Sequence, residues 1–111
     1  RMHPAMGALV DPWQPALLRT LAQITVGAQE AGVEVGVCGE SAADPVFSVV
    51  LAGLGVTSVS VASGAVESVR GALRTVTSEQ AQQIAAEVLT ATSSVEAKKT
   101  AHDALSLAVS S

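Results

Sequence analysis

The stretch Gly32–Pro45, GVEVGVCGESAADP, decides how the chain is read. Val33, Val35 and Val37 alternate with Glu34, Gly36 and Cys38. That is the two-residue period of a strand, in a segment rich in β-branched residues. Gly39 suits a sharp exit. Asp44 followed by Pro45 has the form of a helix start, an aspartate cap with proline at the first helical position. The reading is a strand over 33–38, a loop, and a helix over about 45–53 through Val46, Val49 and Val50, stopping at Gly53 or Gly55. Cys38, the chain's single cysteine, stands at the strand's end.

Upstream, Pro4, Pro12 and Pro15 interrupt any helix before residue 15, and Asp11-Pro12 is a turn signal. Leu17, Leu18, Leu21, Ile24 and Ala28 then recur at three- and four-residue spacing, which predicts a helix over about 15–31 ended by Gly32. Downstream, VTSVSVA (residues 56–62) reads as a second strand, Ser63-Gly64 as a turn, and about 65–76 as a helix. Thr77 with Gln80, and Ser93 with Glu96, have capping-box spacing. Each box precedes an apolar stripe: Ala81, Ile84, Ala85, Val88 and Leu89 in one, Ala97, Ala101, Ala104, Leu105 and Ala108 in the other.

Strands separated by a helix pair in parallel through a right-handed crossover. Two parallel strands do not make a stable sheet alone. The fold class expected is therefore α/β and incomplete, a piece of a larger βα barrel or open sheet. The GLG at 53–55 precedes a strand and lacks phosphate-loop spacing, so it does not read as a nucleotide site.

Composition sets further limits. At 111 residues one domain is expected. The chain is 49% apolar and 14% charged, with mean hydropathy +0.44, too apolar for a disordered segment. With no Tyr, one Phe and one Trp, the core must come from Val, Leu, Ile and Ala. A formal net charge of -4 disfavours nucleic acid. One cysteine excludes an internal disulfide framework and fits a reducing compartment. No apolar run approaches a membrane span, and RMHPAMGALVDP has no signal-peptide form. The sequence starts at Arg1 instead of a methionine, so a cut, processed or internal start is expected.

Several residues could carry chemistry. In parallel α/β folds ligands gather at the carboxyl ends of strands, where Cys38 lies. A thiol there could donate a proton, attack an electrophile or bind metal. It could equally be a buried strand-end thiol acting as a small hydrophobe. Glu40 could hold the thiol proton or a water, or be a solvated loop carboxylate. Asp44 reads as a cap, His3 as a loop residue, His102 as an exposed helix residue, and Trp13 as a loop anchor. No metal cluster is read from the sequence.

VGVCGESAADP followed by LAGLGVTSVSVASGAVESVR resembles the carboxyl-terminal part of enzyme I of the bacterial phosphoenolpyruvate-dependent sugar phosphotransferase system. DPWQPALLRTL is similar to that family's helix before the cysteine strand. The resemblance covers about residues 1–76 and, more loosely, the two terminal helices. Pyruvate phosphate dikinase and phosphoenolpyruvate synthase share the cysteine-glycine element; the L-x-G-L-G and W-Q-P-x-L-L features favour enzyme I.

The resemblance implies that the chain is the last quarter of a (βα)8 TIM-type barrel, two parallel strands with flanking helices, plus carboxyl-terminal helices. It implies Cys38 as the proton donor to enolpyruvate, Arg1 as a substrate-phosphate ligand, and Gly39 and Glu40 as the supporting loop. It implies phosphoenolpyruvate as substrate, Mg2+ in the complete enzyme with none bound by this chain, and a cytoplasmic location. The implied partners are the phosphocarrier protein HPr, through missing amino-terminal domains, and a second copy in a homodimer. Ser41 departs from the large apolar residue usual after the glutamate. The magnesium carboxylates, an Asn-Asp pair and the phosphorylated histidine have no match in the sequence, so the isolated chain is expected to be inactive. The alternative from another class is a non-catalytic dimerisation module. A third alternative is an α/β ligand domain such as a flavodoxin-like unit, against which stands the lack of a phosphate-binding loop after the first strand of this sequence.

Overall fold

The computed structural model describes residues 11–38, 44–61 and 63–110, with Cys38 described by its place in a strand only. The elements are α1 (Pro15–Ala31), β1 (Gly36–Cys38), α2 (Pro45–Leu54), β2 (Ser58–Ser60), a 3-10 turn (Ser63–Ala65), α3 (Val66–Arg74), α4 (Ser78–Val88) and α5 (Ser94–Ser110).

The local signals act as their chemistry dictates. Pro15 opens α1, and Gly32 closes it in the left-handed region at φ 72°. The Asp44 carboxylate accepts from the Val46 N–H at 3.0 Å, with Pro45 beginning α2. Thr77 and Gln80 form the reciprocal capping box that starts α4. At α5 the box is shifted by one residue. Ser93 Oγ accepts from Glu96 N–H at 3.1 Å, but the Glu96 carboxylate turns to Thr92, taking its N–H at 2.8 Å and its hydroxyl at 2.9 Å.

The core is built around α2. Phe47, Ser48, Val49, Val50, Leu51 and Leu54 are all buried, so this helix is apolar nearly all round and sits inside the molecule. It packs against α1, α3, α4 and α5. Its closest approach is to α4: a Cβ on Gly53 would run into the Ala81 carbonyl and lie 2.9 Å from Ala85 Cβ. Leu18 and Thr25 of α1, Val69 of α3, Ala81, Ile84, Ala85 and Val88 of α4, and Ala97 and Ala101 of α5 are buried with it, as are Trp13, Val56 and Ala91 outside the helices and strands. Trp13 packs edge-to-face on Phe47, with ring centroids 4.9 Å apart, which pins the segment before α1.

β1 and β2 pair in parallel, with Gly36 opposite Ser58, Val37 opposite Val59 and Cys38 opposite Ser60. The strands are shorter than their alternating sequence predicts. At the Val35 level the Thr57 hydroxyl intrudes on the ladder, donating to the Val35 carbonyl (2.8 Å) and accepting the Val35 N–H (2.9 Å).

The expected (βα)8 barrel quarter is corrected by these elements. The described residues form a two-stranded open sheet in a mainly helical body. Closing a barrel needs many strands of matched tilt and shear, and two strands of three residues impose neither. The apolar surface that such strands cannot cover is buried helix against helix, around α2. The radius of gyration, 13.2 Å, matches the ~13 Å of a compact domain of about a hundred residues.

Candidate functional site

The two faces of the sheet differ. Val35, Val37, Val59 and Val61 pack toward the helical core. Ser58 and Ser60, alternating with Val59, are exposed on the other face. Gly36 is exposed there too, and the Ser58 hydroxyl lies so close that a Cβ on Gly36 would come within 2.9 Å of it. The outer face is thus small and hydroxylic, backed by a valine layer that holds the strands in place.

β1 ends at Cys38, opposite Ser60, as the alternation of Val33–Cys38 predicts. Arg1, Gly39 and Glu40 lie outside the described residues, as do His3 and the Cys38 side chain. No geometry therefore joins the residues singled out from the sequence. Asp44 is engaged as a helix cap. His102 is exposed on α5. The sequence reading assigned no role to Ser60, although the serine–valine alternation of 58–61 carried the signal.

Two hollows flank the sheet. One, of about 530 Å³, runs along the outer edge of β2 between α2 and α3; Ser58, Ser60, Val61, Val69, Arg70 and Leu73 are among its walls. The other, of about 200 Å³, is almost wholly apolar, between α1 and α2 with Leu17, Leu21, Ile24, Val37, Phe47 and Leu51. The second lacks the polar groups of a formed small-molecule pocket, whereas the first has the Ser58 and Ser60 hydroxyls and Arg70 in its walls. Both are places where the sheet and its helices stop short of covering each other.

Among the described residues no three His, Cys, Asp or Glu side chains come together to hold a metal ion. The described part of the chain does not fit a magnesium site. The groups with displaced pKa values lie on α5. Glu96 is held below its ordinary 4.5 by the Thr92 backbone and side-chain hydrogen bonds. Lys99 is raised by its hydrogen bond to Asp103 (2.9 Å) and that carboxylate's charge. No helix among the described residues is long and apolar enough to cross a membrane.

Residues 1–78 match the family model described as "PEP-utilising enzyme, PEP-binding domain". The chain belongs to the PEP-utilising enzyme family. Over 106 residues, 96% of the chain, it is 44% identical to a phosphoenolpyruvate-protein phosphotransferase of Streptomyces coelicolor, covering 19% of that protein. It is 36% identical over 98 residues, 88% of the chain, to a multiphosphoryl transfer protein of Rhodobacter capsulatus, covering 12% of it. A phosphoenolpyruvate-protein phosphotransferase of Geobacillus stearothermophilus is 33% identical over 89 residues, 80% of the chain and 15% of that protein. The chain thus spans less than a fifth of these curated relatives. The family match ends at the start of α4. The PEP-utilising match therefore takes in both strands and the Cys38 loop, while the Streptomyces similarity extends over nearly the whole chain.

Proposed function

We propose that this chain is the carboxyl-terminal part of a phosphoenolpyruvate-protein phosphotransferase, and that Cys38 protonates the enolpyruvate left when phosphate departs. The observation that carries the reading is the family match over residues 1–78, which spans the cysteine strand and its loop, joined to 44% identity over 96% of the chain. In the proposed step the Cys38 S–H bond breaks as a C–H bond forms at C3 of the enolate, and the sulfur keeps the electron pair until water returns a proton. Arg1 grips the phosphate through its planar, permanently charged fork. Gly39 admits the backbone close to the ligand, and Glu40 supports the thiol or the loop. Magnesium, bound by carboxylates outside this chain, supplies charge neutralisation at the phosphate. The phosphoryl group passes to an enzyme histidine outside this chain and then to the phosphocarrier HPr, in a cytoplasmic homodimer.

The experiment is deuterium incorporation at C3 of pyruvate by the full-length enzyme. Cys38→Ala should reduce it by about 10²-fold or more, while Arg1→Ala should chiefly raise the KM for phosphoenolpyruvate. Exchange at the wild-type rate in Cys38→Ala would remove the assignment.

A second reading, a dimerising module, is favoured by α5, which leaves Val95, Leu107 and Val109 exposed. Light scattering on the 111-residue chain tests it; a monomer at micromolar concentration would sink it.

A further inference from the structure

The larger hollow has the shape of a seat for an extended chain. The consecutive residues 56–61 form one long wall, and Val66, Val69, Arg70 and Leu73 of α3 form another. Those four stand at i, i+3, i+4 and i+7, so a single face of α3 runs beside β2. At about 3.3 Å per residue the strand wall is about 17 Å long.

The edge of β2 that bounds the hollow is open. β2 pairs with β1, and no other strand covers it among the described residues. The Ser58 N–H donates to the Val35 carbonyl, on the β1 side. Successive residues of a strand direct their main-chain groups to opposite edges, so the Val59 N–H and C=O face the hollow. Natural sheets guard such an edge with charge or proline. Residues 56–61, VTSVSV, contain neither.

The side chains around the edge select what fits. Val61, Val69 and Leu73 offer apolar contact on the helical side, while Ser58 and Ser60 stand on the other face. Among the described residues, the one charged wall residue is Arg70, which is exposed. Neither Arg70 nor Arg74, one turn further along the same side of α3, forms an ion pair or a side-chain hydrogen bond among the described residues. Glu67, one turn before Arg70, is not in the walls and does not pair with it. The hollow is thus electropositive in a chain of net charge -4.

We propose that the open edge of β2 is a docking site for an extended acidic peptide segment of another protein, added as a strand with apolar side chains toward α3 and a carboxylate on Arg70. The main chain decides for a peptide. The edge presents a donor and an acceptor together, and a second main chain answers both. Charge decides its sign, because a guanidinium with no carboxylate beside it receives one through two parallel hydrogen bonds. The proposal is independent of the Cys38 assignment.

The test uses the 111-residue chain and a fluorescein-labelled heptapeptide in which valine alternates with serine and glutamate, followed by fluorescence anisotropy. Saturable binding is expected. It should weaken about tenfold in Arg70→Gln and be lost when lysine replaces glutamate in the peptide. Two further peptides carry N-methyl groups, one on its valine amides and the other on the amides between them. An added strand donates to β2 from one of these sets only, so one peptide should fail to bind and the other should bind as the parent does. Equal binding by both methylated peptides overturns strand addition. Binding that ignores both Arg70→Gln and the lysine exchange overturns the acidic partner. No binding at all overturns the proposal outright. A dimer by light scattering, with the Val59 amide already protected from hydrogen exchange before peptide is added, gives the edge to a second copy and overturns it too.

Discussion

Gly53 is the residue at which this fold has least freedom. It sits in α2 facing α4, and any side chain there meets the Ala81 carbonyl and the Ala85 methyl. Backbone cannot yield as a flexible side chain can, so Gly53→Ala must push α2 and α4 apart. The expected loss is about 1–3 kcal/mol, typical of overpacking, measured by urea denaturation. Thr25 is the polar counterpart. It is fully buried on α1, and its hydroxyl donates to the Leu54 carbonyl at the end of α2 (2.5 Å) while lying 2.8 Å from the Ala22 carbonyl. Thr25→Val keeps the shape and removes the donor. It should cost about 1–3 kcal/mol, the desolvation penalty of a carbonyl left without its partner. A melting temperature equal to wild type would show that water reaches Leu54. The glycine punctuation was readable in sequence, since Gly53 or Gly55 had to end α2. Which glycine ends it, and which one makes room for a neighbour, was not. Gly55 holds the left-handed φ of 108°, and Gly53 the close approach.

At the scale of elements, caps and periodicities were legible because they are local. Asp44-Pro45 and Thr77-x-x-Gln80 need only their own neighbours to form. Glu96 departs from its pattern by one residue, turning to Thr92 instead of Ser93. This has a pH consequence. Its pKa is depressed below 4.5 by those two hydrogen bonds. The stability it contributes is therefore fully present above the unfolded value and is lost as pH falls through the folded one. Thermal melts from about pH 6 to about pH 3 should show this part of the acid destabilisation in wild type and lack it in Glu96→Gln, which does not titrate. Equal slopes would show that the Thr92 contacts do not persist in solution. Lys99 works in the opposite sense. Its raised pKa gives a contribution present below 10.5 and lost as pH rises through the folded value. Strand length was less legible than strand position. Alternation places both strands, but only the pairing reveals that the Thr57 hydroxyl joins the backbone bonds at the Val35 level.

For the whole molecule, α2 touches four other helices, so no half of the core can leave without the other. Trp13, the one tryptophan, rests on Phe47 in that same core. Unfolding followed by tryptophan fluorescence and by far-ultraviolet circular dichroism should give coincident transitions. Two separated midpoints would mean that α1 with its Trp13 anchor leaves independently of α4 and α5.

By itself the amino-acid sequence determined where helices start, where the strands run, that they pair in parallel, and the family resemblance carried by the Cys38 stretch. Each depends on neighbours a few residues apart, or on the stereochemistry of one crossover. Only the tertiary structure decided what the sheet is for in this body. Two strands of three residues do not curl into an arc. They lay their valines on a helical core, and they leave Ser58 and Ser60 on the open face. That outcome depends on α2 being buried on nearly every side, which its own stripe of Val46, Val49 and Val50 does not disclose. Helices remote in sequence must arrive to bury it.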